Sequence, residues 1–207
     1  MSIYLLVPMT ILLIWLPWLW RYHFRPHFVR EDLYKILQNH PEGERLKQIA
    51  MLLNTLYKGS PSYKISRRER ARLRYQEDAF IYGEIDFLSF ILLLEKVNPP
   101  AGTVFYDLGS GSGKAVLTAA LCYDFDKACG IELLPGLFNL SNLQINKAKT
   151  LVRLSDRKYT DLYLRRVAAI HFVNANFLDC EFSDGDLVFI NATCLSYSAW
   201  GALIEKF

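Results

Sequence analysis

The chain has 207 residues, enough for one core-forming domain and an appendage, and its net charge of +3 is too small to indicate nucleic-acid binding by itself. Composition therefore excludes a strongly basic nucleic-acid-binding protein. The cysteines show no C-x-x-C spacing, so we expect reduced thiols in the core; a disulfide pair or a zinc site is the alternative. They are Cys122, Cys129, Cys180 and Cys194.

Residues 3–20 carry no charge and are almost wholly apolar. As a helix they would extend about 27 Å at 1.5 Å per residue, close to the roughly 30 Å of a bilayer core. Trp15, Trp18 and Trp20 crowd one end, and Arg21 begins a basic flank, as at an interface facing the cytoplasm. We therefore expect a single-pass transmembrane anchor over residues 1–22, with the rest of the chain in the cytoplasm. A cleaved signal peptide and a buried core helix are the alternatives.

A helical segment is predicted over residues 23–80. Apolar residues recur at helical spacing from Leu46 to Leu56, and Ser66-Arg67-Arg68-Glu69 has the capping-box pattern that opens a second helix. The arginines of that helix predict a surface facing solvent or lipid headgroups; binding to an acidic protein or directly to nucleic acid is the alternative. The pair His23-x-x-x-His27 lacks a third ligand, so no metal site is predicted.

The stretch Tyr82-Gly83-Glu84 precedes an apolar run that predicts a buried helix. That helix starts near Asp86, runs to Val97, and ends before Pro99-Pro100, because the residue before a proline disfavours helical backbone. Alone, Tyr-Gly-Glu would be a turn before a helix.

A glycine-rich turn with a carboxylate at its mouth follows. Residues 103–106 predict a buried strand, Asp107-Leu108-Gly109-Ser110-Gly111-Ser112-Gly113-Lys114 the turn, and residues 115–121 a helix, which together form a nucleotide-binding unit. The turn fails the P-loop pattern at both ends and lacks the third glycine of the dinucleotide fingerprint. It therefore suits a nucleoside whose tail is not phosphate, such as an amino-acid tail with its ammonium near Asp107.

The following strands supply further polar residues at their carboxyl ends. Residues 127–131 predict a second strand ending at Glu132, a carboxylate suited to two ribose hydroxyls. A third strand over residues 168–173 leads to Asn176 and Phe177, which we expect at an adenine ring; a plain turn is the alternative. A fourth strand over residues 186–190 ends at Asn191. Because Asn191 is neutral, it would orient an amine nucleophile and not deprotonate it; a helix-capping role is the alternative.

This set of motifs resembles the Dot1 family, class I S-adenosylmethionine-dependent protein-lysine methyltransferases best known for histone H3. The resemblance rests on Tyr82-Gly83-Glu84, the turn at residues 107–114, Gly130-Ile131-Glu132, Asn176-Phe177 and Phe189-Ile190-Asn191. It implies a Rossmann-like α/β sheet with helices on both faces over residues 81–207. It also implies that Tyr82 and Glu84 close over the methionine end of the cofactor and that a substrate channel passes over Asn191.

Pattern and resemblance together define a predicted site. The predicted cofactor-binding residues are Tyr82, Gly83, Glu84, Asp107, Gly109, Ser110, Gly111, Gly113, Glu132, Asn176, Phe177 and Asn191, and the predicted catalytic residues are Asn191 and Tyr82. The expected cofactor is S-adenosyl-L-methionine and the expected partner a protein lysine side chain, on a histone or another protein. The alternatives are a methyltransferase for another nitrogen substrate and an inactive, membrane-tethered cofactor-binding remnant. The strands that complete a seven-stranded sheet are expected to be missing, which would leave the fourth strand at an edge.

Overall fold

The computed structural model describes residues 10–11, 35, 38–73, 83–154, 159–191 and 197–206. Strands and helices alternate over the second half of the chain, as the sequence predicts. The strands are β1 (Thr10–Ile11), β2 (Val104–Leu108), β3 (Lys127–Glu132), β4 (Ile170–Asn174) and β5 (Leu187–Ile190). The helices are α1 (Gly43–Tyr57), α2 (Ser62–Leu73), α3 (Phe87–Val97), α4 (Lys114–Cys122), α5 (Pro135–Leu154), α6 (Thr160–Ala168) and α7 (Tyr197–Ile204), with a 3₁₀ turn at Phe177–Asp179.

The described strands form one parallel sheet in the order β1-β5-β2-β3-β4. From β2 the chain winds outward through β3 and β4, and then returns to place β5 on the other side of β2. Ligands of open α/β sheets bind at such a reversal, outside the carboxyl ends of the strands. The topology therefore puts the candidate crevice between the ends of β2 and β5.

Apolar side chains lie on both faces of the central strands β2 and β5, as expected where helices cover both faces of a parallel sheet. On one face, Phe105 and Phe189 pack against α3 and α4 in the larger core cluster. On the other face, Tyr106 and Val188 pack with Leu203 of α7. The prediction of an α/β sheet with helices on both faces is confirmed.

The N-terminal apolar segment differs from its prediction where it is described. Thr10–Ile11, in the middle of the predicted transmembrane helix, form β1 and pair with Leu187 and Val188 of β5. An edge strand carries a row of unpaired backbone groups, and β1 satisfies part of that row. The prediction that the fourth strand lies at an edge is therefore wrong at these residues. The rest of the predicted anchor lies outside the described residues, and the helices that the structure does describe include none long and apolar enough to cross a membrane.

The capping-box prediction for the second helix is wrong. Helix α2 begins at Ser62, so Ser66 lies inside it, buried, and its hydroxyl has no hydrogen-bond partner among the described residues. Glu69 does not fold back on its own helix. Both of its carboxylate oxygens accept from the backbone N–H of Gly136 at 2.9 Å, which ties α2 to the first turn of α5.

Other local predictions hold. Helix α3 starts where predicted, because the Asp86 carboxylate accepts hydrogen bonds from the N–H groups of Leu88 and Ser89 at 3.1 Å and caps the helix. Cys122 and Cys129 are buried, as predicted, whereas Cys180 is half-buried and Cys194 lies outside the described residues. Burial raises the pKa of the Cys129 thiol to about 11.

Candidate functional site

The glycine-rich turn joins β2 to α4 in a conformation that needs its glycines. Gly109, Gly111 and Gly113 have φ values of 78°, 57° and 79°, in the left-handed region. The N–H groups of Gly109 and Ser110 both donate to the carbonyl of Ile131 in β3, at 2.9 and 3.0 Å. These two hydrogen bonds fix the turn against the neighbouring strand.

Close packing beneath the turn explains two glycines. A Cβ atom on Gly113 would lie 2.3 Å from the ring of Phe172, and one on Gly130 would lie 2.5 Å from the same ring and 2.6 Å from the Ser110 hydroxyl. The aromatic ring of β4 therefore fits under the turn only because both positions lack a side chain.

Glu132 ends β3 and lies beside the turn. Its Oε2 accepts from the N–H of Gly111 at 2.7 Å, and its Oε1 accepts from the N–H of Leu134 at 2.8 Å. The side chain is buried, and burial raises the pKa of Glu132 although both hydrogen bonds act to lower it. Each carboxylate oxygen has a further lone pair, so Glu132 can also accept from a ligand hydroxyl.

Asp107 lies in β2, directly before the turn, and is 3% exposed. Burial, and then the nearby charge of Glu132, raise its pKa from 3.8 to about 8. Two buried carboxylates close to each other disfavour each other's ionised form. A cation in the crevice would offset both the burial of the Asp107 charge and its repulsion by Glu132. The electrostatics of this site therefore favour a positively charged ligand.

The segment before α3 closes the crevice from the opposite side. Glu84 accepts from the Ser112 hydroxyl at 2.8 Å and lies 3.6 Å from the Lys114 ammonium. The Asn191 amide, at the end of β5, donates to the carbonyl of Gly83 at 3.3 Å. The space between these groups is about 30 Å³, room for a water or two.

The structure brings most predicted site residues together in this crevice. Those that line it are Gly83, Glu84, Asp107, Gly109, Ser110, Gly111 and Asn191. Gly113 caps α4 directly behind the lining, and Tyr82 lies outside the described residues.

Asn176 and Phe177 do not line the crevice. The Asn176 side chain accepts from the N–H of Leu178 at 3.1 Å and starts the 3₁₀ turn, while Phe177 packs half-buried against the cluster on the second face of the sheet. The amide of Asn174, the last residue of β4, donates to the carbonyl of Glu132 at 2.8 Å. The loop from β4 to the 3₁₀ turn therefore starts beside Glu132, the predicted ribose ligand. The adenine roles of Asn176 and Phe177 stay predictions.

Sequence reasoning missed three residues that shape the crevice: Tyr57, Ser112 and Lys114. The Tyr57 hydroxyl, at the end of α1, donates to the carbonyl of Ser112 at 3.0 Å. The Lys114 ammonium lies 6.0 Å from the Tyr57 ring centroid and 5.6 Å from that of Phe87. Lys114 could have been found from its place after the last glycine, whereas Tyr57 gives no local signal.

Comparison with known proteins agrees with this geometry. Residues 64–199 match the family described as "Histone methylation protein DOT1". The chain belongs to the DOT1 family. One curated member from Kluyveromyces lactis, "Histone-lysine N-methyltransferase, H3 lysine-79 specific", is 27% identical over 123 residues, which is 58% of this chain and 20% of that protein. The chain thus spans about a fifth of the length of this DOT1 relative. The predicted resemblance to the Dot1 family is confirmed. The match begins within α2, which lies in the helical segment predicted over residues 23–80.

Proposed function

We propose that this chain transfers a methyl group from S-adenosyl-L-methionine to a lysine side chain of a protein. The observation that carries the proposal is the acidic crevice at the β2–β5 reversal, where a glycine turn without P-loop or dinucleotide features meets a second strand ending in Glu132. Membership of the DOT1 family, and the name of the K. lactis relative as a histone-lysine N-methyltransferase, support the same chemistry.

The residues present fit this cofactor. S-adenosyl-L-methionine is positively charged at its sulfonium and ammonium groups. Asp107 and Glu84 line the crevice, and Glu132 lies beside it against the N–H of Gly111. The Ser110 hydroxyl is buried in the turn without a hydrogen-bond partner in the described part of the chain. Asp107 and the turn backbone would hold the amino-acid tail, Glu132 the ribose, and Asn176 with Phe177 the adenine.

When bound, the sulfonium supplies an electrophilic methyl group. The tasks left to the protein are to align a neutral lysine amine with that methyl and to exclude water, so positioning accounts for most of the acceleration. Asn191 can accept a hydrogen bond from the amine and orient it, and it cannot deprotonate it. Phe189 gives the crevice an apolar wall, which lowers the pKa of an entering lysine by desolvation.

Titration calorimetry with S-adenosyl-L-methionine, followed by transfer of labelled methyl, tests the proposal. Histone octamers, nucleosomes and membrane-protein extracts form separate arms, because the histone substrate in the relative's name belongs to a protein of which this chain matches only a fifth. We expect cofactor binding and label in lysine of at least one arm. A chain that does not bind the cofactor, or that labels a different nitrogen, would contradict it.

We also propose that residues 3–20 attach the chain to a membrane, with the methyltransferase domain in the cytoplasm. The support is the uncharged apolar run, its terminal tryptophans and its basic flank. A membrane helix and strand β1 exclude each other at Thr10–Ile11. Alkaline carbonate extraction of the expressed chain decides between them: retention in the membrane pellet supports the anchor, and release into the supernatant contradicts it.

A further inference from the structure

Basic side chains form a stripe along the exposed side of α2. Four exposed residues recur at helical spacing, so their side chains lie on one side of the helix. This basic stripe consists of Lys64, Arg67, Arg68 and Arg72. At 1.5 Å per residue it extends about 12 Å along the helix. Ser62 and Ser66, on the opposite side of α2, are buried.

The basic stripe is not neutralised by carboxylates in the part of the chain that the structure describes. None of its side chains forms an ion pair there. Glu69, the one acidic residue of α2, is held by the N–H of Gly136 in α5. Of the chain's 24 Lys and Arg and 21 Asp and Glu residues, the packed helices α2 and α5 hold eight and one. These two helices therefore have a formal charge of +7 and the rest of the chain −4.

An exposed aromatic ring lies beside the basic stripe. Tyr63, one turn before Arg67, is 59% exposed. Tyrosine rings are favourable at the headgroup level of a bilayer, with the ring toward the apolar layer and the hydroxyl toward water. Duplex nucleic acid offers such a ring no apolar layer beside its phosphates. The uncharged apolar run of residues 3–20 favours a bilayer as well.

We propose that the basic stripe and Tyr63 form a docking surface for an anionic lipid bilayer. Each basic residue near such a surface is attracted by the acidic headgroups, and a row on one helix places several cations at the same depth. This contact is separate from residues 3–20, because α2 lies on the folded domain. The docking does not depend on methyl transfer.

The docking surface is joined to the crevice by a short path of hydrogen bonds. Glu69 binds the N–H of Gly136, and the N–H of Leu134, two residues earlier, donates to Glu132 beside the glycine turn. A docked α2 therefore holds the crevice near the bilayer. Lysines of membrane-associated proteins are then favoured as methyl acceptors, a consequence that rests on the proposed function.

Co-flotation of the expressed chain with vesicles tests the docking. We expect stronger binding to phosphatidylcholine vesicles that contain phosphatidylserine than to phosphatidylcholine alone, and a preference that falls with added salt. The stripe variant Arg67→Gln/Arg68→Gln/Arg72→Gln should bind the anionic vesicles roughly 100-fold more weakly, because each basic residue near the surface contributes about fivefold. Its binding to neutral vesicles and its midpoint of urea unfolding should not change.

A matched control variant removes the same number of positive charges from other exposed positions. It is Lys96→Gln/Arg165→Gln/Lys206→Gln, and it should bind both vesicle types as the wild type does. An equal loss of affinity in the stripe and control variants would overturn the docking, since total charge and not the stripe would then set the affinity. A loss of affinity for duplex DNA in the stripe variant, with no change for vesicles, would assign the surface to nucleic acid instead.

A second readout reports on α2 where residues 3–20 hold the chain to both vesicle types. Ala71→Cys, exposed between Arg68 and Arg72, carries a fluorescent donor, and the lipid headgroups carry an acceptor. The unsubstituted chain treated with the same dye gives the background from its own cysteines. Energy transfer above this background that is higher with anionic than with neutral vesicles supports the docking. The same transfer from both vesicle types contradicts it, whether or not the chain binds the methyl donor.

Discussion

Asp107 makes the stability of the ligand-free protein fall as pH rises. Its folded pKa of about 8 lies above the ordinary value of 3.8, so between these values the folded chain binds more protons than the unfolded chain. The free energy of unfolding therefore decreases with pH in that window, by about 1.4 kcal/mol per pH unit while the site stays protonated. This pH dependence ends above about pH 8, where Asp107 is ionised in both the folded and the unfolded chain.

Cofactor binding should favour the ionised form of Asp107, because the cofactor's ammonium group is positively charged. At pH 7 a group with a pKa of about 8 holds about 0.9 proton, and binding should release most of it. Between pH 6 and pH 7 the affinity should then rise by up to about tenfold. The ligand ammonium, with an ordinary pKa of about 7.7–8.0, stays charged in that range.

The assay combines calorimetry in two buffers of different ionisation enthalpy with urea unfolding of the ligand-free protein at pH 6, 7 and 8. Asp107→Asn should release almost no proton from that site, bind the cofactor more weakly, and lose less stability between pH 6 and pH 8 than the wild type does. Asp126→Asn, which alters an exposed aspartate, should behave as the wild type. Proton release and pH dependence identical in wild type and Asp107→Asn would refute a buried, protonated Asp107.

Three further substitutions test the geometry around the turn. Glu132→Ala should abolish measurable cofactor binding, because it removes both the ribose acceptor and the partner of the Gly111 N–H; calorimetry showing undiminished affinity would contradict the ribose role. Gly113→Ala should cost about 3 kcal/mol or more in urea unfolding, since it adds a clash with Phe172 to the roughly 1–2 kcal/mol of left-handed strain. Gly109→Ala has the same φ and open space, so it should cost the strain alone; equal losses would show that the clash relaxes. Glu69→Ala should cost about 1 kcal/mol, like loss of a helix cap, and speed hydrogen exchange in α2; unchanged exchange would show that the tie to α5 is not needed.

Local sequence signals predicted much of the fold and most of the crevice. Asp86 marks the start of α3 because a carboxylate before an apolar run satisfies the first helical N–H groups. The strand, glycine turn and helix around Asp107 follow from residues adjacent in sequence. Glu132 could be placed because parallel strands end at the same edge of the sheet.

Contacts between distant parts of the chain could not be predicted in the same way. Ser66 and Glu69 fit a capping box, but Glu69 finds a better partner in the first turn of α5, and tertiary packing places Ser66 inside the helix. Tyr57 reaches the glycine turn from α1, and nothing in its neighbourhood marks it. Helix α6 (Thr160–Ala168) was not predicted, and β4 begins at Ile170, two residues later than the predicted third strand.

Several protein side chains that we expect to contact the ligand already have hydrogen-bond partners within the protein. Glu132 accepts from the Gly111 N–H, Glu84 from the Ser112 hydroxyl, and the Asn191 amide donates to Gly83. Binding therefore exchanges internal hydrogen bonds for external ones, and a measured affinity reports the difference between them. A substitution that removes an internal partner can raise affinity while lowering stability, and one that removes a shared acceptor lowers both. For this crevice, calorimetry and unfolding have to be measured on the same variants, because only the pair of values separates loss of a ligand contact from loss of the closed ligand-free state.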